Sequence, residues 1–125
     1  MGSYACKICD WRDGDTCQVS VDIVNTDLGF RVTLYRVVRI FGINAPEVHS
    51  KDIGEKARGI AAKTFAESLA PDGSVVIVRS AKEHGQDKYG RWLASILLGN
   101  GKDFAVEMTM AGHALPWDGT GVRPV

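Results

Sequence analysis

The chain has 125 residues, with 15 lysines and arginines against 15 aspartates and glutamates and a formal net charge of zero. Apolar residues make up 45% and charged residues 24%, the balance of a globular domain, which excludes a disordered tail, a collagenous repeat and a coiled-coil rod. No apolar run approaches the roughly 18 residues that a membrane-spanning helix needs, so no membrane partner is expected. The neutral total argues against binding nucleic acid by bulk attraction alone.

The length is that of one domain over residues 1–125, and a monomer is expected. Cys6, Cys9 and Cys17 are an odd set that closes no disulfide framework. Cys6 and Cys9 have CxxC spacing, but no second CxxC or histidine pair stands at zinc-finger distance, so they read as small apolar residues in strands. Three unpaired thiols suit a reducing compartment. The first residues lack the apolar stretch of a secretory signal. Together these favour a cytoplasmic location and leave a processed secreted form open.

Taken in chain order, Cys17, Val19, Val21 and Ile23 alternate with Gln18, Ser20 and Asp22, the period of a half-buried strand. Residues 25–29 are a turn cluster. Phe30, Val32 and Leu34 alternate in a returning strand, and Val37 to Ile43 reads as a third, ended by Pro46, which has no N–H for a ladder. Residues 55–69 change to helical spacing, with Ala57, Ile60, Ala61, Thr64, Phe65 and Leu69 as the apolar face and Glu55, Lys56, Lys63 and Glu67 off it. Val75 to Val78 and Trp92 to Leu98 are further strands around a polar loop. Asp103 can cap a short helix through Ala111, with Gly112 after it. The tail, residues 115–125, reads as irregular. The order of three strands, helix, two strands, helix predicts an α+β, mainly β fold: a five-stranded OB-type barrel with one long and one short helix.

Three segments carry polar groups that such a fold does not need. In Asp13-Gly14-Asp15-Thr16 a hairpin turn accounts for Asp13 and Gly14 but leaves Asp15 over. In the segment from Arg39 to Glu47, a strand delivers Arg39 from its body and Asn44 from its end, and Pro46 holds Glu47 in a rigid bend. In Asp87-Lys88-Tyr89-Gly90-Arg91, Lys88 is a point charge, Tyr89 a donor and Arg91 a bidentate fork, suited to gripping phosphate. A carboxylate with a nearby amide or carbonyl oxygen is a hard donor set for calcium or magnesium. Two arginines can neutralise a phosphate as its charge rises, and a further carboxylate can act on a water as general base. That is the equipment of a phosphodiesterase.

These blocks, Asp13-Gly14-Asp15-Thr16, Arg39 through Pro46-Glu47 and Lys88-Tyr89-Gly90-Arg91, resemble in order and spacing the signature blocks of the staphylococcal nuclease (thermonuclease) family, from about residue 4 to about residue 114. The resemblance implies an OB barrel and a calcium-dependent endonuclease that hydrolyses DNA and RNA, single-stranded, to 3′-phosphates. It implies Asp15 as a direct calcium ligand, with Ala45 offering its carbonyl. Glu47 would orient or deprotonate water, Arg39 and Arg91 would bind the phosphate, and Lys88 and Tyr89 would hold the substrate's terminal phosphate. Asn44 departs from the family's well-known members, which have aspartate there as second calcium ligand. Loss of that charge predicts weaker calcium binding or another divalent ion such as Mg²⁺. Trp117 can stack on a base. Of the other candidates, Lys51 can line a substrate groove and His49 lies near Glu47, whereas His84, His113, Met108 and Trp92 read as surface or packing residues. The competing expectation is a barrel of this family that binds nucleic acid or protein without turnover, favoured by Asn44 and the neutral charge.

Overall fold

The alternating apolar strands close on themselves. In the computed structural model, which describes residues 2–81 and 89–124, β1 (Ser3–Asp13), β2 (Thr16–Asn25), β3 (Phe30–Ile40), β5 (Val75–Ser80) and β6 (Trp92–Leu97) form a closed barrel in the order β1-β2-β3-β6-β5. Helix α1 (Ile53–Leu69) stands between β3 and β5 in sequence, and α2 (Phe104–Met110) follows β6. The short strands β4 (Ile43–Asn44) and β7 (Leu115–Pro116) pair beside the barrel. This is the mainly β, OB-type barrel with one long and one short helix that the sequence predicts.

Strand β1 works twice. Ser3 to Lys7 pair antiparallel with β5, and Lys7 to Asp13 pair antiparallel with β2. Register shifts between Ile8 and Asp10 and between Trp11 and Asp13 bend the strand so that it can serve both neighbours. Parallel pairing of Val38–Ile40 with Trp92–Ala94 closes the other side. The interior is filled by Ile8, Trp11, Cys17, Val19, Val38, Ile40, Ile96, Phe104 and Met108. Trp11 stacks on Phe104 with centroids 4.7 Å apart, and its indole N–H donates to the Ala70 carbonyl at 2.8 Å, which satisfies the polar end of a buried ring.

The structure corrects the strand reading in three places. Residues 115 and 116, expected in an irregular tail, form β7 and pair with β4. The first of the three strands before the long helix is β1, which no expected strand covers, and the two strands expected over 30–43 are one strand, β3, followed after Gly42 by β4. Phe41-Gly42 makes the break, with Gly42 at a φ of 89° that only glycine adopts readily. The apolar alternation also overstates burial. Ile23, Phe30 and Val32 are exposed because the β2–β3 hairpin runs past the end of the barrel.

Helix α1 buries a different face from the expected one. Gly59, Ala62 and Ala66 face the barrel, while Ala57, Ile60, Ala61 and Thr64 are exposed and Phe65 and Leu69 lie at the edge of the core. The reason is distance. A Cβ on Gly59 would lie 2.6 Å from the carbonyl carbon and oxygen of Glu47, so only the smallest residues fit where the helix meets the barrel and its loop. The caps match their expectation: Asp103 accepts from the Val106 N–H at 3.1 Å, and Gly112 follows α2 with a φ of 79°. Asp52 caps α1 by accepting from the Gly54 N–H.

Cys6 and Cys17 are core residues and Cys9 is half-buried. Burial pushes the Cys6 thiol up to about 11 and raises that of Cys17 further, so both remain in the protonated form that neither ligates metal nor attacks.

Candidate active site

Register brings the polar segments together. Thr16 pairs with Arg39 across β2 and β3, and the Ile40 N–H donates to the Asp15 carbonyl at 2.8 Å. Asp15 therefore sits beside the end of β3, where the chain turns through Gly42 into β4. Asp15, Thr16, Arg39, Asn44, Glu47, Tyr89, Arg91 and Trp117 line one cleft of about 570 Å³. Ala45 is buried and is not among the residues that line it.

Asp15 is almost fully buried, and each of its carboxylate oxygens accepts a hydrogen bond. One carboxylate oxygen accepts from the Thr16 hydroxyl at 2.9 Å, and the other accepts from the Ala45 N–H at 2.8 Å. The latter oxygen also lies 3.5 Å from the Arg39 guanidinium. Arg39 in turn donates to the carbonyls of Ile40 and Ile43 at 2.8 and 3.0 Å and to Asn44 Oδ1 at 3.3 Å. A guanidinium tied at this many points loses little further freedom when it meets an anion. Also lining the cleft, the Arg91 guanidinium lies over the Tyr89 ring, 5.3 Å from its centroid, a cation–π contact that orients both. Lys88 and His84 lie outside the described residues.

Glu47 lines the cleft with its side chain 54% exposed. Its backbone is held from two sides that the sequence did not reveal. The Glu47 N–H donates to Glu55 Oε2 at 3.2 Å, and the next residue's N–H, Val48, donates to Asp13 Oδ1 at 3.0 Å. Asp13 is thus more than the turn residue it was expected to be. Gly14 is needed for space rather than for left-handed backbone: a Cβ there would meet Met108 Cε at 2.9 Å, Ala62 Cβ at 3.0 Å and Ala45 Cβ at 3.1 Å. Glu55, expected among the solvated residues of α1, also accepts from the Ser50 hydroxyl at 3.0 Å.

The Glu47 N–H first, then the Ser50 hydroxyl and the Arg123 guanidinium, hold the Glu55 carboxyl below the usual carboxylate range. A carboxyl lowered in the folded state stabilises the protein above its unfolded value, about 4.3 for glutamate, and that contribution fades as pH falls towards the folded value. Glu55→Gln is therefore expected to lower the melting temperature at about pH 7 and to matter progressively less below about pH 4. Melting curves across that range check it; a gap independent of pH would remove the charge from the account.

Arg123 is the residue that sequence reading missed. Its Nε donates to Asn44 Oδ1 at 2.9 Å, and its Nη2 donates to the Ala45 carbonyl at 3.2 Å and to Glu55 Oε2 at 3.4 Å. The same nitrogen lies 3.6 Å from Glu47 Oε1. Asn44 also donates through Nδ2 to the Pro124 carbonyl at 2.7 Å. Trp117 is half-buried. Its backbone N–H donates to the Gly42 carbonyl at 2.9 Å and its indole N–H to the Thr120 carbonyl at 2.8 Å. His49 and Lys51 are exposed and do not line the cleft. His113 packs against Phe65, ring centroids 4.9 Å apart, and Met108 is in the core, as expected.

Hard oxygens, two arginines and an exposed carboxylate thus line one cleft of a small closed OB-type barrel. Residues 37–119 match the staphylococcal nuclease homologue family, and the chain belongs to it. It is 32% identical over 121 residues to an uncharacterized lipoprotein of Mycoplasma genitalium, covering 88% of this chain and 44% of that protein. It is 34% identical over 97 residues to the homologous lipoprotein of Mycoplasma pneumoniae, covering 69% of this chain and 31% of that one. With an uncharacterized protein of Methanocaldococcus jannaschii it shares 30% identity over 130 residues, 89% of this chain and 58% of the other. The chain thus spans between about a third and three-fifths of the length of these curated relatives.

Proposed function

We propose that the protein is a divalent-ion-dependent nuclease that hydrolyses phosphodiester bonds of single-stranded DNA or RNA to 3′-phosphates. The observation that supports this reading is the convergence of Asp15, Arg39, Asn44, Glu47, Tyr89 and Arg91 on one cleft, drawn from three stretches of chain. Water attacks phosphorus, the bond to the 5′ oxygen breaks, and the water proton passes towards Glu47, whose carboxylate is exposed and whose backbone is pinned by Glu55. Arg39 and Arg91 bind the non-bridging oxygens and favour the charge that grows on them, and Arg91 steadies the departing alkoxide. Tyr89, which lines the cleft, holds a terminal phosphate together with Lys88.

The donor set fits a divalent cation in kind. The Asp15 carboxylate, Asn44 Oδ1 and the Ala45 carbonyl are all hard oxygens, and two of the three already accept from a guanidinium, so their arrangement suits positive charge. These residues would hold Ca²⁺ or Mg²⁺, which would neutralise phosphate charge as a Lewis acid. With one carboxylate in the set, weak affinity is expected.

The test is incubation with single-stranded DNA and with RNA in calcium, magnesium or chelator, read by product length and end group. Cleavage to 3′-phosphates that needs a divalent ion and falls about 10²-fold in Arg91→Ala is the expected result. No cleavage with any metal, or equal cleavage by the variant, would overturn the reading. The second reading, binding without turnover, draws on Arg39, whose guanidinium is already engaged with two carbonyls and Asn44. Retarded mobility of nucleic acid with no cleavage would favour it.

A further inference from the structure

Arg123 brings a cation to the oxygens that the proposed function reserves for a metal. Of the three candidate metal donors, Asn44 Oδ1 and the Ala45 carbonyl accept from it at 2.9 and 3.2 Å. Its remaining partners are the carboxylates of Glu47 and Glu55 at 3.6 and 3.4 Å. One guanidinium thus meets two candidate ligands and the candidate base together. The segment that carries it is attached at several further points. Pro116 and Leu115 pair with Ile43 and Asn44, the Trp117 N–H donates to the Gly42 carbonyl, and Asp118 folds the turn by accepting from the N–H and hydroxyl of Thr120.

Asn44 joins the two halves of this arrangement. Its Oδ1 accepts from Arg123 while its Nδ2 donates to the Pro124 carbonyl at 2.7 Å. An aspartate could accept from Arg123 but would set a second acceptor against the Pro124 carbonyl. The neutral amide that weakens a metal site is therefore the side chain able to hold residues 123 and 124 together over it.

We propose that Arg123 is a tethered cation that occupies the metal site, so that a divalent ion binds only when residues 117–124 release Asn44 and Ala45. This rests on the metal-site reading above and adds its regulation: the ion and the segment exclude one another. A segment closed nine-tenths of the time weakens apparent ion affinity about tenfold. The ion, by linkage, opens the segment to the same degree.

Calcium titration by calorimetry, without nucleic acid, tests this on the whole chain. Arg123→Ala is expected to tighten calcium binding about tenfold. Arg31→Ala, an exposed arginine on the β2–β3 hairpin, removes the same charge at a distance and is expected to change it by less than about twofold. In the unsubstituted protein, calcium is expected to speed hydrogen exchange at the Trp117 N–H. Calcium binding that Arg123→Ala leaves unchanged or weakens overturns the competition alone, and so does calcium binding that leaves Trp117 exchange unaltered. No calcium bound by either protein overturns the metal-site reading together with it. A gain in Arg31→Ala equal to that in Arg123→Ala also overturns the competition, since net charge then accounts for it.

Discussion

Glu47→Gln is expected to reduce cleavage of single-stranded DNA or RNA by about 10³-fold, within the range that general-base catalysis contributes, while leaving the melting temperature nearly unchanged. The carboxylate is 54% exposed and its ion-pair neighbour among the described residues, Arg123, stands 3.6 Å away; an ion pair so open to solvent contributes little to stability. Its backbone, by contrast, is secured through Glu55 and, one residue on, through Asp13, and glutamine leaves those bonds in place. The substitution thus removes a proton acceptor without moving the chain. A thermal melt alongside single-turnover cleavage checks both halves. Retained cleavage would remove Glu47 from the role of base.

Gly59→Ala is expected to do the opposite, leaving the catalytic groups intact but moving them. The added Cβ would lie 2.6 Å from the carbonyl carbon and oxygen of Glu47 and 2.8 Å from the Val48 nitrogen. These are backbone atoms, which cannot swing aside as the tip of a side chain can. Alanine gains about 1 kcal/mol over glycine in helix propensity. Overpacking a close contact costs about 1–3 kcal/mol, so the contact outweighs the propensity, and a fall of several degrees in melting temperature is expected. Because a displacement of about 1 Å can lower a rate about 10²-fold, cleavage measured well below the melting temperature should fall by more than lost stability explains. A variant that is more stable and equally active would show that α1 does not press on the Glu47 loop.

The two substitutions mark different depths of legibility. Arg39, Asn44, Ala45 and Glu47 lie within nine positions of one another in sequence, and a strand ending in proline is enough to read them as one cluster. Asp15 was visible as the polar residue that a turn does not need. Glu55 and Asp13 were not visible in these roles, since a carboxylate on a helix and an aspartate before glycine have ordinary local uses. Arg123 was less visible still: it meets Asn44 across 79 positions, and no local period or motif announces such a pairing. The face of α1 was misread for a related reason. Apolar spacing marks residues that would gain by burial, whereas the approach of the helix to the Glu47 carbonyl selected the residues small enough to fit.

By itself the sequence determined the barrel class, the two helices, the cap of α2, the turns and the polar segments that make the candidate site, because each is written in neighbouring residues through hydrophobic period, cap chemistry and glycine or proline placement. The tertiary structure alone decided that β1 bridges β2 and β5, that Gly59, Ala62 and Ala66 are the seam of α1, and that Arg123 rests on Asn44 and Ala45. Those contacts depend on strand register and on the distance between backbones. Both are properties of the closed barrel as a whole, to which no single stretch of chain holds the key.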